Sequence, residues 1–548
     1  MQIKNSFNIK NLTIIFFIFV FFVGLSIFKD YGISLDEQFH KDNASFWHKY
    51  IKAYILDSNS SIARESESLI EQNIKKGEGF ISAVPSIHPV PIPILYEFLL
   101  DIIKIESSKS IYQLRHLFNF IIYFVGLYFF YKIVQKRYKS YFYSLTGLLF
   151  LYLTPRFFAE SFYNAQDIFF LSVTVINMYT GINFLAKPNI KNTLIFSLSS
   201  ALAIDTRVMG IISVFIILFF FFLKTLRSKI FLKKNLKLLF YFFPFTLFLI
   251  IFFWPFLWTD PFNNFLFAFS ELSSLKIIIN NLYLGKYILS TNVPWHYHIV
   301  WIFITTPLII ILLFLLGLFF LFKRILNRLV KLDNNLNDIW RGNNEMFDIY
   351  FLMMILLPIV ILMNNRLGYD GWRHLYFIYP SIIIISLTGL YYLHFIMKLK
   401  VIKFSINSLV VLNLIYLSYW NYKYHPHQNV YFNLMFKKNF HNNFDMDYWG
   451  LSNLSSIRYI IDNNTTFPIK IGTKSFSSLE TSSLLLNDTD KNKISIIYSL
   501  DEADFLITNY RNRIKDDFII DKNKYKKYYE VLVDDKAINT VYKKIIND

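Results

Sequence analysis

Cysteine is absent from the 548-residue chain, which excludes a disulfide framework, a thiolate nucleophile and a Cys-ligated zinc site. Neither a P-loop nor a GxGxxG string stands between a strand and a helix, which argues against a nucleotide-sugar donor or ATP-driven transport. No internal repeat is visible, whereas secondary transporters usually carry two related halves with broken helices. Acidic residues are in deficit, 38 Asp and Glu against 56 Lys and Arg, for a net charge of +18. Such an excess suits nucleic acid only when it gathers on one folded face. Here it falls between apolar runs, so no nucleic-acid partner is expected.

What the chain has in abundance is apolar surface: 54% hydrophobic residues, 20% aromatic, 61 Phe and a mean hydropathy of +0.38. A water-soluble core is the wrong description. Crossing about 30 Å of hydrocarbon takes roughly 20 mainly apolar residues as a helix. Runs of that kind occupy Leu12 to Phe28, Ile111 to Val134, Tyr141 to Leu153, Ile168 to Leu185, Thr193 to Ile204, Val208 to Leu223, Leu236 to Leu257, Ile299 to Phe322, Ile349 to Met363, Leu375 to Met397 and Phe404 to Trp420. The fold class expected is a polytopic α-helical membrane protein of about eleven spans. With a cytoplasmic N-terminus, the inside loops are strongly basic, as in Lys224, Arg227, Lys229, Lys233, Lys234 and Lys237, or Lys323, Arg324, Arg328, Lys331 and Arg341. The short outside loops hold only Arg156, Arg207, Lys276, Lys286, Arg366 and Arg373. That asymmetry follows the positive-inside rule. It orients a multi-pass protein of the cell (inner) membrane with its C-terminal part extracytoplasmic.

Two segments fall outside the spans: the first extracytoplasmic loop, 29–110, and the tail, 421–548. The tail strings FPIKIGT, KISIIYS, ADFLITNY, YYEVLVD and INTVYKKI, preceded by LSSIRYIID, read as short strands after a helix. They predict a small extracytoplasmic α/β domain beside a membrane domain of residues 1–420. The first span has a basic front without a small-residue cleavage site after it, and is expected to stay as an anchor.

Ionisable groups next to spans are costly and mark candidate sites. GISLDEQFHKD places Asp36 and Glu37 side by side, with His40 four residues past Asp36. A carboxylate there can act as general base toward a hydroxyl, or as an acidic cap on the following helix. SIHPVPIP sets His88 before a proline-rich, rigid extended stretch. PRFFAESFYNAQD offers Arg156, Glu160, Asn164 and Asp167. In AIDTRVMG, Asp205 and Arg207 can neutralise each other. NNRLGYDGWRHLYFIYP brings Arg366, Asp370, Arg373 and His374 together, and a guanidinium is well shaped to grip phosphate.

The order of these elements resembles the GT-C superfamily of membrane glycosyltransferases, which includes the protein O-mannosyltransferases and the lipid A aminoarabinose transferases. The resemblance rests on DEQFH, HPVP, LRHLFNFIIYFVGLYF, PRFFAESFYNAQDIFFL, ALAIDTRVMGI, YDGWRHLYFIYP, HPHQNVYFN and DYWGLS, and spans nearly the whole chain. In the mannosyltransferases the His stands one position earlier, so no mannose specificity carries over. The resemblance implies a polyprenyl-phosphate-linked sugar donor and transfer to a lipid, glycan or protein acceptor outside the cell. It implies Asp36 as general base, Glu37 as its neighbour at the acceptor, and Asp167 as an auxiliary acid. Arg373, with Arg366 or Arg207 and with His374 nearby, would neutralise the leaving phosphate; His40, His88, Asn164 and Glu160 would line the acceptor side. A divalent metal between Asp36, Glu37, Asp167 and His88 has no fixed ligand spacing in the sequence. A secondary transporter or lipid flippase is the competing expectation, and a non-catalytic assembly protein the third.

Overall fold

The computed structural model describes residues 2–56, 61–76, 86–227, 235–273, 278–330, 343–436, 440–511 and 520–545. The basic residues Lys229, Lys233, Lys234, Lys276, Lys331 and Arg341 lie outside them. Seven described helices are long and apolar enough to cross a membrane: Ile9–Ile27, Ser108–Tyr138, Asp167–Ala186, Leu308–Asn327, Met346–Asn365, Arg373–Ile396 and Lys400–Lys423. Three shorter apolar helices, Tyr141–Leu153, Val208–Lys224 and Lys237–Phe253, join them. The remaining expected span is the helix Ile190–Thr206, which is less apolar for a visible reason. Its Ser199 and Ser200 hydroxyls accept from Asn177 Nδ2 at 3.2 and 3.0 Å, a polar seam satisfied inside the bundle. The protein is therefore a polytopic helical membrane protein, its helices sorted by environment. Asp167–Ala186 and Arg373–Ile396 are largely buried at the centre, whereas Ile9–Ile27 and Lys400–Lys423 expose apolar side chains almost all round.

One expected span is interrupted. Between Tyr297–Thr305 and Leu308–Val330 the helix stops at Pro307, where the ring removes a backbone donor and clashes with the preceding turn. Farther along, Gly317 and Gly389 let two helices touch. A Cβ on Gly317 would sit 2.0 Å from the Ile385 carbonyl oxygen, and one on Gly389 2.2 Å from that of Leu313, so only glycine permits this crossing. The prolines after His88 also differ from the expected extended strut. Pro91 opens the helix Pro91–Ile103, a first-turn position where its missing N–H costs nothing.

The first loop folds into the helices Glu37–Leu56, Ser61–Lys76 and Pro91–Ile103. The tail holds the helix Ser452–Asp462 and five strands: β3 (Ile469–Thr473), β4 (Ile494–Ile496), β5 (Phe505–Thr508), β6 (Tyr525–Val533) and β7 (Lys536–Lys544), after a hairpin of β1 (Asn280–Tyr283) and β2 (Lys286–Leu289) earlier in the chain. The sheet order is β4-β3-β5-β7-β6; β3 runs parallel to β4 and β5, and β7 antiparallel to β5 and β6. The cores do not divide at residue 421. Val430, Tyr431, Phe432, Tyr448 and Trp449 belong to the same buried cluster as the membrane helices, while the sheet has its own core around Leu454, Ile457, Ile471 and Phe505. Segment 428–451 thus fastens the sheet to the membrane body.

Candidate active site

The acid pair is sorted by the turn that leads into the helix. Ser34 N–H donates to Glu37 Oε2 at 2.6 Å, Glu37 N–H donates to the Ser34 carbonyl at 3.1 Å, and the Ser34 hydroxyl donates away from both, to the Tyr163 carbonyl at 3.3 Å. The other Glu37 oxygen lies 3.0 Å from His116 Nε2, in the helix Ser108–Tyr138. Glu37 is fully buried and turned inward, so the structure does not bring it to the acceptor side expected for it. Successive residues entering a helix point about 100° apart, and Asp36 is turned to a different side from Glu37, onto the cavity.

Asp36 faces a cavity of about 550 Å³. Arg373 Nη1 donates to Asp36 Oδ2 at 2.6 Å across 337 positions of sequence, and the same nitrogen lies 3.5 Å from Asp167 Oδ2. Arg207 also pairs with Asp167 through Oδ1 and reaches Gln166 Oε1 at 3.3 Å. Asp167 and Arg207 are hence partners, and Asp205, expected to neutralise Arg207, is left out. Neither carboxylate oxygen of Asp205 has a hydrogen-bond partner among the described residues. His40, His88, Arg207 and His374 line the same cavity as Asp36 and Arg373. Its lining also includes the apolar side chains of Met209, Ile211, Ile212, Phe269, Ile361 and Leu362.

Arg373 is delivered by a tight loop. Asp370 and Gly371 have φ of +54° and +74°, a left-handed pair that glycine adopts without strain. The loop is braced by the hairpin: Asn281 Nδ2 donates to the Gly368 carbonyl at 3.2 Å and Gly368 N–H to the Ser290 carbonyl at 2.9 Å. The Arg373 guanidinium is sandwiched by Tyr369 and Trp449, 4.7 and 4.8 Å from their ring centres. Arg366 does not join it. It sits just past the helix Asn343–Asn365 with φ of +51° and an exposed side chain, so of these two arginines it is Arg207 that lines the cavity with Arg373.

Behind the cavity, Asn164 Nδ2 bridges Glu160 Oε2 at 2.7 Å and Asp167 Oδ2 at 3.1 Å, and Tyr376 donates to Glu160 Oε1 at 2.8 Å. Asn164 and Glu160 support Asp167 from below and do not line the cavity. Burial pushes the Glu160 carboxyl up to about 7 against these hydrogen bonds. Burial also works upward on Asp36, but the Arg373 guanidinium, with His40, holds that carboxyl below the usual carboxylate range. The imidazoles of His40 and His88 are pushed down to about 4 and about 3 by burial. Both are neutral at pH 7 and can exchange hydrogen bonds with a hydroxyl without adding charge.

Two participants escaped the sequence reading. Tyr369 lines the cavity, and so does Arg511 from the C-terminal sheet, whose Nη2 donates to Asp370 Oδ1 at 2.7 Å. The only sequence hint of Arg511 is a basic residue directly after an apolar strand. Among the described residues, no three His, Asp or Glu side chains are grouped to hold a metal. Asp36 and Asp167 are engaged by arginines and Glu37 by His116, so this donor set does not fit the divalent ion considered from the sequence.

Residues 88–258 match the model of the family described as dolichyl-phosphate-mannose-protein mannosyltransferase. That segment carries His88, Asp167 and Arg207. No curated protein matches the chain. Among solved structures, ArnT from Cupriavidus metallidurans, crystallised with undecaprenyl phosphate, is similar at 10% identity with a TM-score of 0.42, over 96% of this chain and 97% of that one.

Proposed function

Taking the chain as a membrane glycosyltransferase of the GT-C superfamily, on its motifs and its mannosyltransferase-type segment, we propose that it transfers a sugar from a polyprenyl-phosphate donor to a hydroxyl acceptor on the extracytoplasmic face. The observation that carries this reading is the Asp36–Arg373 contact of 2.6 Å on the wall of a cavity lined by both charged and apolar side chains. A polyprenyl tail must stay in lipid while its phosphate needs hydrogen-bond donors, and a cavity of mixed lining meets both needs. Undecaprenyl phosphate, the ligand in the ArnT crystal, is the probe for the tests below.

In the proposed reaction the acceptor oxygen attacks the anomeric carbon, the bond from that carbon to the phosphate oxygen breaks, and the acceptor proton passes to Asp36. Polyprenyl phosphate leaves with the bonding pair. Arg373 and Arg207 hold the phosphate as its charge grows, where preorganised donors contribute most. Three arginines (207, 373 and 511) face three aspartates (36, 167 and 370) in the free protein. An arriving phosphate must therefore draw Arg373 partly away from Asp36. That shift removes the cation that depresses Asp36 and makes it a better base at the moment the donor is bound. The buried Nε groups of Arg373 and Arg207, unpartnered among the described residues, are donors still to be satisfied.

The basic inside loops support a cytoplasmic N-terminus in the cell (inner) membrane, with the site and the C-terminal sheet outside. The natural absence of cysteine makes this simple to check. Tyr498, 86% exposed, replaced by Cys should react with an impermeant maleimide on intact spheroplasts, while Lys187→Cys should react only after permeabilisation; the reverse pattern contradicts the orientation. The function itself is tested by mass spectrometry of extracytoplasmic glycans, lipids and proteins from cells with and without the protein. One sugar-bearing product should vanish with the gene and fail to return with Asp36→Asn. Full return with Asp36→Asn would support a transporter or scaffold.

A further inference from the structure

The C-terminal sheet meets the site through the carboxyl ends of its parallel strands. The loop after β3 supplies Phe476 to the cavity wall and the residues after β5 supply Arg511. Arg511 is 4% exposed and held on all sides. Its guanidinium lies 5.2 Å from the Phe476 ring centre, Nη1 donates to the Tyr448 carbonyl, and the Phe476 N–H donates to its own carbonyl at 2.8 Å. Nearby, Asn509 Nδ2 donates to the Asp447 carbonyl at 2.9 Å, so the strand end is docked on segment 445–449 and not merely lying near it.

What Arg511 touches gives it a task. Asp370 stands between two arginines: Arg511 Nη2 is 2.7 Å from Oδ1, and Arg373 Nη2 is 3.5 Å from Oδ2. The closer cation takes most of the carboxylate's demand. Without it, a buried Asp370 would have Arg373 as its neutralising cation, three residues away on the same loop. A buried charge that loses its partner recruits whatever counter-charge is within reach. Arg373 would then turn toward Asp370 and away from Asp36, Asp167 and the cavity.

We propose that Arg511 is a positioning residue of the transfer site: it neutralises Asp370, which leaves Arg373 directed at Asp36 and at a donor phosphate. The C-terminal domain is on this account part of the catalytic unit. The inference rests on the reading of the cavity as a polyprenyl-phosphate site, and its effect runs through a single competing carboxylate. Removing that carboxylate should therefore undo the damage of removing Arg511, which a residue that bound phosphate directly or served only to hold the domain would not allow.

The test is equilibrium binding of undecaprenyl phosphate to the full-length protein in nanodiscs. Arg511→Gln should weaken binding about tenfold, and Arg511→Lys, which keeps a charge beside Asp370, should stay within about threefold of wild type. Arg511→Gln combined with Asp370→Asn should recover to within about threefold of wild type. Should Arg511→Gln not fold, Asp370→Asn alone decides: affinity equal to or above wild type supports the proposal, and a loss of about tenfold overturns it. A double variant as weak as Arg511→Gln also overturns it, as does an Arg511→Gln protein that binds like wild type. Wild-type protein that ignores the lipid sinks the reading of the cavity, and this inference falls with it.

Discussion

Two buried clusters of arginine and aspartate stand at opposite ends of the same bundle, and they are built differently. In the helix Ser108–Tyr138, His116 touches Glu37 beside the cavity, while Arg137, about 31 Å along the axis, binds Asp348. There the carboxylate is closed off: Arg137 Nε and Nη2 donate to its two oxygens at 2.7 and 2.8 Å, and Arg324 adds a contact at 3.1 Å. Three helices are clamped and both carboxylate oxygens are met by a guanidinium. At the Asp36 end, Arg373 is shared among three acids at unequal distances, the Nε donors of Arg373 and Arg207 have no partner among the described residues, and a cavity adjoins the group. The same residue types make a fastener when saturated and a site when balanced but incomplete.

Substitutions should separate the two ends cleanly. The largest contrast is between Arg373→Ala and Arg137→Ala. The first should cut transfer by about a hundredfold to a thousandfold, the scale of losing one preorganised donor at a leaving group. Thermal unfolding of that variant in detergent should change little compared with Arg137→Ala, because Asp36 borders a cavity and Arg207 still pairs with Asp167. Arg137→Ala strands Asp348 and should cost about 3–5 kcal/mol of stability, read as a lower unfolding temperature, with the turnover of the folded fraction unchanged. If Arg137→Ala abolished turnover without unfolding, the distinction between clamp and site would fail.

Glu37→Gln sharpens the comparison within the acid pair. Because Glu37 holds the Ser34 N–H and His116, its loss should lower stability by about 1–3 kcal/mol and leave the ratio of bound donor to turnover intact. A Glu37→Gln protein of wild-type stability with no turnover would return Glu37 to the acceptor side.

The smallest effect is a pH dependence at the cavity. The folded-state values of His40 and His88 are depressed, to about 4 and about 3, from about 6.5. Both rings are neutral in the fold and take up a proton more readily when unfolded. Their contribution to stability is full above about pH 6.5 and is lost progressively as pH falls toward those folded-state values. His40→Gln should flatten the fall of unfolding temperature between pH 6.5 and pH 4; an unchanged slope would remove His40 from the cavity wall.

The spans were legible because lipid demands long apolar runs and leaves few alternatives, and the five tail strands because their period-two pattern is bounded by polar turns. The break at Pro307 was legible in principle, since proline inside an apolar run ends a helix, but hydropathy alone passes over it. Less visible was which of two adjacent acids faces the cavity. That choice depends on His116, a residue 79 positions from Glu37 whose distance no local pattern encodes. Arg366 and Arg373 look alike in the string NNRLGYDGWRH; the left-handed turns between them send one outward and one inward. Arg511 was hidden because its meaning lies in partners on other elements, Asp370 above all, and charge counting assigns no role to an arginine after a strand.

The most direct measurement is release of polyprenyl phosphate from a polyprenyl-phosphate-linked sugar by purified protein, with lipid binding followed in the same samples. Wild type should bind and release in the presence of acceptor, while Asp36→Asn should bind at least as tightly and release about a hundredfold to ten-thousandfold more slowly. An Asp36→Asn protein that releases the lipid at the wild-type rate would contradict the account.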